Sequence, residues 1–103
     1  FFEGFARFDF NDLCNKNIGA EDYIKILEVC EHILIENLPN FDDNNSNQQQ
    51  RFITLIDIIY EKKVSLTISS VSNLNKLTSS TSLSEPFKRT LSRLHELTSS
   101  LNN

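Results

Sequence analysis

Arg89 and Arg93 lie one helical turn apart in the stretch FKRTLSRLHEL, a spacing that puts both guanidiniums on one face of a helix. Each guanidinium is a planar fork of N–H donors that matches phosphate oxygens. The pair is therefore a candidate for contacting the phosphates of a nucleotide, Arg93 ahead of Arg89 because it lies deeper in the helix, where its position is better fixed. The same spacing also suits a solvated face on which Arg93 pairs with Glu96 at i+3, worth roughly a few tenths of a kcal/mol. A third arginine, Arg51, heads the pattern RFITLIDIIYEKK. It is either an arginine offered to a neighbouring subunit's nucleotide or a residue at a loop–helix junction. Glu36 and Asn37 close the apolar run of HILIEN. Ligands gather at the carboxyl ends of strands in open α/β sheets, although a strand leaving the core for solvent explains the pair equally well.

Other chemistry lacks the residues it needs. The chain has only two glycines, Gly4 and Gly19, so it contains no G-x-x-x-x-G-K-[ST] loop to cradle phosphates with backbone amides. His32 and His95 have no metal-ligating partner at helical spacing, and Cys14 and Cys30 are too far apart for a CxxC motif. Two buried thiols in a reducing compartment are the expected state rather than a disulfide. Taken alone, the chain is expected neither to bind ATP nor to act as an enzyme, and no metal site is expected.

The elements that must position these residues show in the hydrophobic periods. Phe52, Leu55, Ile56 and Ile59 recur at i, i+3, i+4 and i+7, with Thr54, Asp57 and Glu61 turned towards water. Lys62 and Lys63 follow at the carbonyl end of that helix. The period then changes to two, with Val64, Leu66 and Ile68 alternating with Ser65, Thr67 and Ser69. Upstream, Tyr23, Ile26, Leu27 and Cys30 form a second helical stripe after a turn at Gly19. Asn11 or Asp12 caps a short turn through Leu13 and Cys14. Downstream, Ser84-Glu85-Pro86 is a helix start, with Ser84 as the cap and Phe87, Leu91, Leu94, Leu97 and Leu101 turned inwards. Packing those leucines inwards turns Arg89 and Arg93 outwards.

The reading is an α/β fold in which three short parallel strands, near 6–10, 32–36 and 64–68, alternate with helices near 20–31, 50–62 and 86–98. Polar, low-complexity stretches near 41–50 and 69–84 are expected to be surface loops, the first mobile and the second anchored by Val71, Leu74 and Leu77, and Asn15 to Asn17 another polar loop. The segment after Thr98 is expected to fray.

Residues 1–103 are one domain or part of one. A net charge of −4 argues against a nucleic-acid partner, and no apolar run approaches the length of a transmembrane segment. The chain begins with Phe1 and contains no Met. We therefore expect a piece of a longer protein, with an excised or processed domain as the alternative.

Four stretches resemble the ZapE-type cell-division ATPases and their mitochondrial relatives, the lactation-elevated-protein ATPases: FDFNDLCNKNIGAEDYIKI, HILIENLP, RFITLIDIIYEKKVSL and FKRTLSRLHEL. Together they span nearly the whole chain. The last carries Arg89, Ser92 and Arg93 in the positions of the family's F-x-R-T-x-S-R-L helix. The resemblance implies the C-terminal portion of a P-loop NTPase-like sheet of the AAA-like class, with ATP and Mg²⁺ as cofactors of a full-length parent whose nucleotide motifs lie upstream. It also implies partners in that upstream ATPase half and in a homo-oligomer, and a mitochondrial location for a eukaryotic source or a cytoplasmic one for a bacterial source. Three departures stand out. Both nucleotide motifs are missing, Gln50 replaces a common second arginine before Arg51, and Asn/Ser-rich stretches replace ordinary loops. The function expected is therefore the C-terminal segment of an ATP hydrolase, completing its sheet and supplying phosphate-sensing arginines. A non-catalytic α/β protein-interaction module is the alternative.

Overall fold

A computed structural model describes residues 4–14, 18–70 and 77–99. Its elements in chain order are β1 (Phe5–Asp9), α1 (Phe10–Cys14), α2 (Ala20–Glu28), β2 (His32–Leu38), α3 (Ser46–Lys62), β3 (Ser65–Ser70) and α4 (Ser84–Ser99), with a 3₁₀ turn at Thr81–Leu83. The strands form one sheet in the order β1-β2-β3, with both pairings parallel. The α/β class and the three-stranded parallel core are as the periods indicate. The expected loop at Asn15 to Asn17, the anchors Val71 and Leu74, and Leu101 lie outside the described residues.

The boundaries move for physical reasons. β1 stops at Asp9 because its carboxylate accepts the Asn11 backbone N–H at 3.0 Å, so Asp9, not Asn11 or Asp12, starts α1. α2 ends at Glu28, short of 31, because the backbone N–H groups of Glu31 and His32 both donate to the Gly4 carbonyl, at 2.6 and 3.0 Å. Sheet pairing thus takes the last turn of the expected helix, and Cys30 is buried in the connection beyond it. Gly4 has φ +85, a conformation open to glycine, whereas Gly19 is extended and needs no glycine there.

α3 closes as a Schellman turn. Lys63 takes a left-handed φ of 57, its N–H reaches Tyr60 O, and the Val64 N–H reaches Ile59 O. Val64 and Ile59 are both in the core, the apolar contact that accompanies such a stop. With Val64 used in that stop, β3 begins at Ser65 and runs on to Ser70.

One hydrophobic core holds Phe10 and Leu13 of α1, Tyr23 and Leu27 of α2, Phe52, Leu55, Ile56 and Ile59 of α3, and Phe87 and Leu94 of α4. All these side chains meet the same face of the sheet, that of Ile33, Ile35 and Leu66. The other face carries Phe5, Arg7 and Asp9, then His32, Leu34 and Glu36, then Ser65, Thr67 and Ser69. None of these nine residues is buried. β2 also changes phase near its end. Asn37 has φ 61 and the register shifts between Ile35 and Leu38, so Leu38 turns into the core instead of joining Leu34 and Glu36 on the open face.

Among the described residues the two polar stretches are tied to the core and to each other, while Asp42, Asp43, Asn44 and Thr78 stay exposed. Phe41 is fully buried and packs against Phe10, Phe52 and Phe87, with ring centroids 5.6–5.7 Å away. The Thr78 hydroxyl donates to the Phe41 carbonyl at 2.7 Å, and the Thr81 N–H donates to Asp43 Oδ1 at 2.8 Å. Each stretch is the other's hydrogen-bond partner. Ser46–Gln50 belongs to α3, extending it one turn earlier than the apolar pattern indicates, and Gln49 is fully buried. Its amide donates to Ser79 Oγ at 2.7 Å and accepts the Ser80 N–H at 3.0 Å. Ser84 lies inside α4 and its hydroxyl donates back to Thr81 O, so it is not the cap that its sequence position suggests.

Candidate functional site

α3 starts after the carboxyl end of β2 and finishes before the amino end of β3, so it runs against the strands. α4 starts beside Gln49 and Asp43, at the head of α3, and brings Glu96 and Leu97 to a groove shared with Tyr60, Lys63, Val64 and Ser65 at its foot. The two helices therefore run side by side in the same direction, and a residue's position along either one gives its place between the carboxyl and amino edges of the sheet.

Arg89 and Arg93 sit on the seam between these helices. Asp57 turns towards α4 rather than water, and its Oδ1 accepts a hydrogen bond from Arg93 Nη1. The Arg93 guanidinium also lies over the Tyr60 ring, 4.7 Å from its centroid. Its side chain is only 26% exposed, so it is not turned outwards as the leucine stripe suggests. The reason lies in that stripe. Phe87, Thr90 and Leu94 are the buried positions and Leu91 and Leu97 only half-buried, which rotates α4 so that Arg93 faces α3. Arg89 is held more loosely. Its Nη2 is 3.6 Å from Asp57 Oδ2, within ion-pair range but beyond a good hydrogen bond, and its side chain is 60% exposed. Glu96, the sequence-based partner for Arg93, takes the Tyr60 hydroxyl, and this bond raises the tyrosine's pKa above its ordinary value.

Arg51 lies in the second turn of α3, not at its head, and its Nη1 donates to the Cys14 carbonyl at 3.2 Å. The Tyr23 hydroxyl donates to the Leu13 carbonyl at 2.6 Å. Two side chains from α2 and α3 thus close the carbonyl end of the five-residue helix α1. Burial pushes the Cys14 thiol up to about 12. Such a thiol is no nucleophile at neutral pH.

The carboxyl edge of the sheet holds a network that sequence reading found only in part. Arg7 makes a two-pronged pair with Glu36, Nε to Oε1 at 2.6 Å and Nη2 to Oε2 at 2.9 Å. Asn37 Nδ2 donates to Asp9 Oδ1 at 2.6 Å. These bonds hold both carboxyls below their ordinary pKa values, through Arg7 for Glu36 and through Asn37 for Asp9. Parallel register makes Asp9 the partner of Glu36 and Arg7 the partner of Leu34, which brings β1 side chains beside β2 ones from 28 or 29 residues away. Windowed periodicity carries no signal for that. Among the described residues no three His, Cys, Asp or Glu side chains are grouped to hold a metal ion, and no helix is long and apolar enough to cross a membrane.

Residues 2–102 match the family model described as AFG1-like ATPase. Lactation elevated protein 1 homolog B of Danio rerio is 33% identical over 72 residues, covering 70% of this chain and 14% of that protein. The cell division protein ZapE of Escherichia coli strain K12 is 30% identical over 90 residues, covering 87% of this chain and 24% of that protein. The chain thus spans less than a quarter of the length of these curated relatives. No solved structure matches it.

Proposed function

The chain belongs to the AFG1-like ATPase family, and from that premise we propose that it is the carboxyl-terminal segment of an ATP-hydrolysing P-loop protein. Its task there is to complete a larger sheet and to bring arginines to the ATPase. The observation that carries this reading is the side of the sheet that no described element covers. Parallel sheets are buried on both faces, yet β1 and β3 are both edge strands, and the face of Phe5, Leu34 and Thr67 has no buried residue. Such a sheet is suited to being continued and covered by the ATPase half that carries the phosphate loop. ATP and Mg²⁺ would be held by that half. The carboxylates nearest the carboxyl edge here, Asp9 and Glu36, are engaged by Asn37 and Arg7 and do not fit a Mg²⁺ site. A mitochondrial location for a eukaryotic source, or a cytoplasmic one for a bacterial source, follows from the same reading, as does a homo-oligomeric parent.

Among the three arginines, Arg51 caps α1 and Arg93 braces α4 on α3. Arg89 is the most exposed of the pair on α4 and lies one turn nearer the carboxyl edge than Arg93, so we assign to it the contact with phosphate.

The test uses the full-length parent and the isolated chain together. Leu34→Glu on the open face should leave the melting point of residues 1–103 nearly unchanged while abolishing co-purification with the separately expressed upstream half and ATP turnover in the parent. Calorimetry on residues 1–103 alone should give no ATP binding. Micromolar affinity there, or a Leu34→Glu parent with normal turnover, would overturn the reading. Capture of an unrelated protein by the open face, without the upstream half, would instead favour an interaction module.

A further inference from the structure

We infer that Asp57 is a positioning residue for Arg89, an inference that rests on the assignment of Arg89 to phosphate contact. One carboxylate serves two guanidiniums, and it serves them unequally. Arg93 is fixed on two sides, by its hydrogen bond to Oδ1 and by the Tyr60 ring, and it is largely enclosed. Arg89 faces the other oxygen across 3.6 Å and remains mostly in solvent. With Oδ1 committed, the Asp57 carboxylate cannot rotate to follow Arg89. Its second oxygen therefore stands at a fixed point against which the longer reach of Arg89 is set. An attraction at that distance holds the side chain near one arrangement without locking it. A phosphate oxygen, carrying more charge and accepting from both prongs of the fork, can take the guanidinium over. When it does, Arg93 still satisfies Asp57, so the α3–α4 seam survives the exchange. Arg93 is thus the anchor of the device, Asp57 its pivot and Arg89 the arm.

The experiment is a double-mutant cycle on ATP turnover in the full-length parent, run well below the melting temperature of every variant. Arg89→Ala should lower kcat at least about tenfold, with KM and melting point little changed. Asp57→Asn, which keeps the shape and removes the charge, should lower kcat by a similar factor. The double variant should be no slower than Arg89→Ala, because Asp57 acts through Arg89. A purely structural role for Asp57 predicts otherwise, with its effect multiplying that of Arg89→Ala. Additive losses, or normal turnover in Asp57→Asn beside an impaired Arg89→Ala, would overturn the inference. Normal turnover in Arg89→Ala itself would overturn the phosphate assignment on which it rests.

Discussion

Asp57 and Arg93 meet across 36 residues of sequence, the carboxylate on α3 accepting from the guanidinium on α4 while Tyr60 lies against that guanidinium. Because both side chains are mostly enclosed, their coupling should exceed that of an ordinary surface pair. A thermodynamic cycle of Asp57→Ala and Arg93→Ala is expected to return a coupling of about 1 kcal/mol. The same cycle with Arg89→Ala should give less, and that smaller value should vanish in high salt. Equal couplings for the two arginines would contradict the assignment of one as anchor and the other as arm.

Leu55 and Ile56 are almost fully enclosed between α3 and the sheet, whereas neighbouring Thr54 bonds only its own helix, through Gln50 O. Truncating either apolar residue to Ala should cost about 2–5 kcal/mol. Thr54→Ala should cost much less. Chemical unfolding of the three variants decides the matter, and similar midpoints would show that the stripe does not hold the core.

Gln49 and Ser80 should respond in opposite ways. Gln49→Ala leaves the buried Ser80 N–H without its partner, a loss of about 1–3 kcal/mol, while the Ser79 hydroxyl keeps its bond to Ser80 O. The Ser80 hydroxyl, by contrast, is buried with no hydrogen-bond partner. Ser80→Ala keeps the backbone N–H and removes that unpaired group, so it is expected to be neutral or mildly stabilising. A clear loss of stability in Ser80→Ala would mean that the hydroxyl is bonded after all.

The pH dependence has two limbs with definite signs. Glu36 and Asp9 are held below their ordinary values of 4.5 and 3.8, by Arg7 and by Asn37 respectively. A depressed carboxyl contributes stability that is complete above its ordinary value and is lost as pH falls through the folded one. Melting points should therefore drop as pH falls below about 4.5, and Glu36→Gln should flatten that limb. At the alkaline end the Cys14 thiol is raised by burial from 9.0 to about 12, so its contribution is present below 9.0 and is lost as pH rises towards 12. An acid limb identical in Glu36→Gln and the parent sequence would show that the Arg7 pair is idle.

What was legible in the sequence was local. Phe52, Leu55, Ile56 and Ile59 repeat within a single window, and all four are buried. The alternation of Leu66 with Ser65 and Thr67 likewise fixes which side of β3 faces the core. What was not legible depends on partners far along the chain. Gln49, Asp57 and Arg51 are polar residues in a polar-looking context, and polarity alone reads as solvent. Their partners lie 30 to 37 residues away, where no periodic pattern reaches. Phe41 is hidden for a related reason, since one aromatic residue ahead of DDNNSNQQQ has no repeat to mark it. The site therefore depends on strand register and helix rotation, which no local pattern encodes.

β3 has a further property that bears on handling the molecule. Its six residues, SLTISS, include no charged side chain and no proline, the two commonest guards against edge-to-edge association. β1, the opposite edge, carries Arg7 and Asp9. Among the described residues β3 is an edge strand, and at high protein concentration that edge offers its backbone to an extended strand of another molecule. Solutions of residues 1–103 should therefore self-associate reversibly and in proportion to concentration, and a single lysine in place of Ser69, which is exposed on the open face, should keep them monomeric.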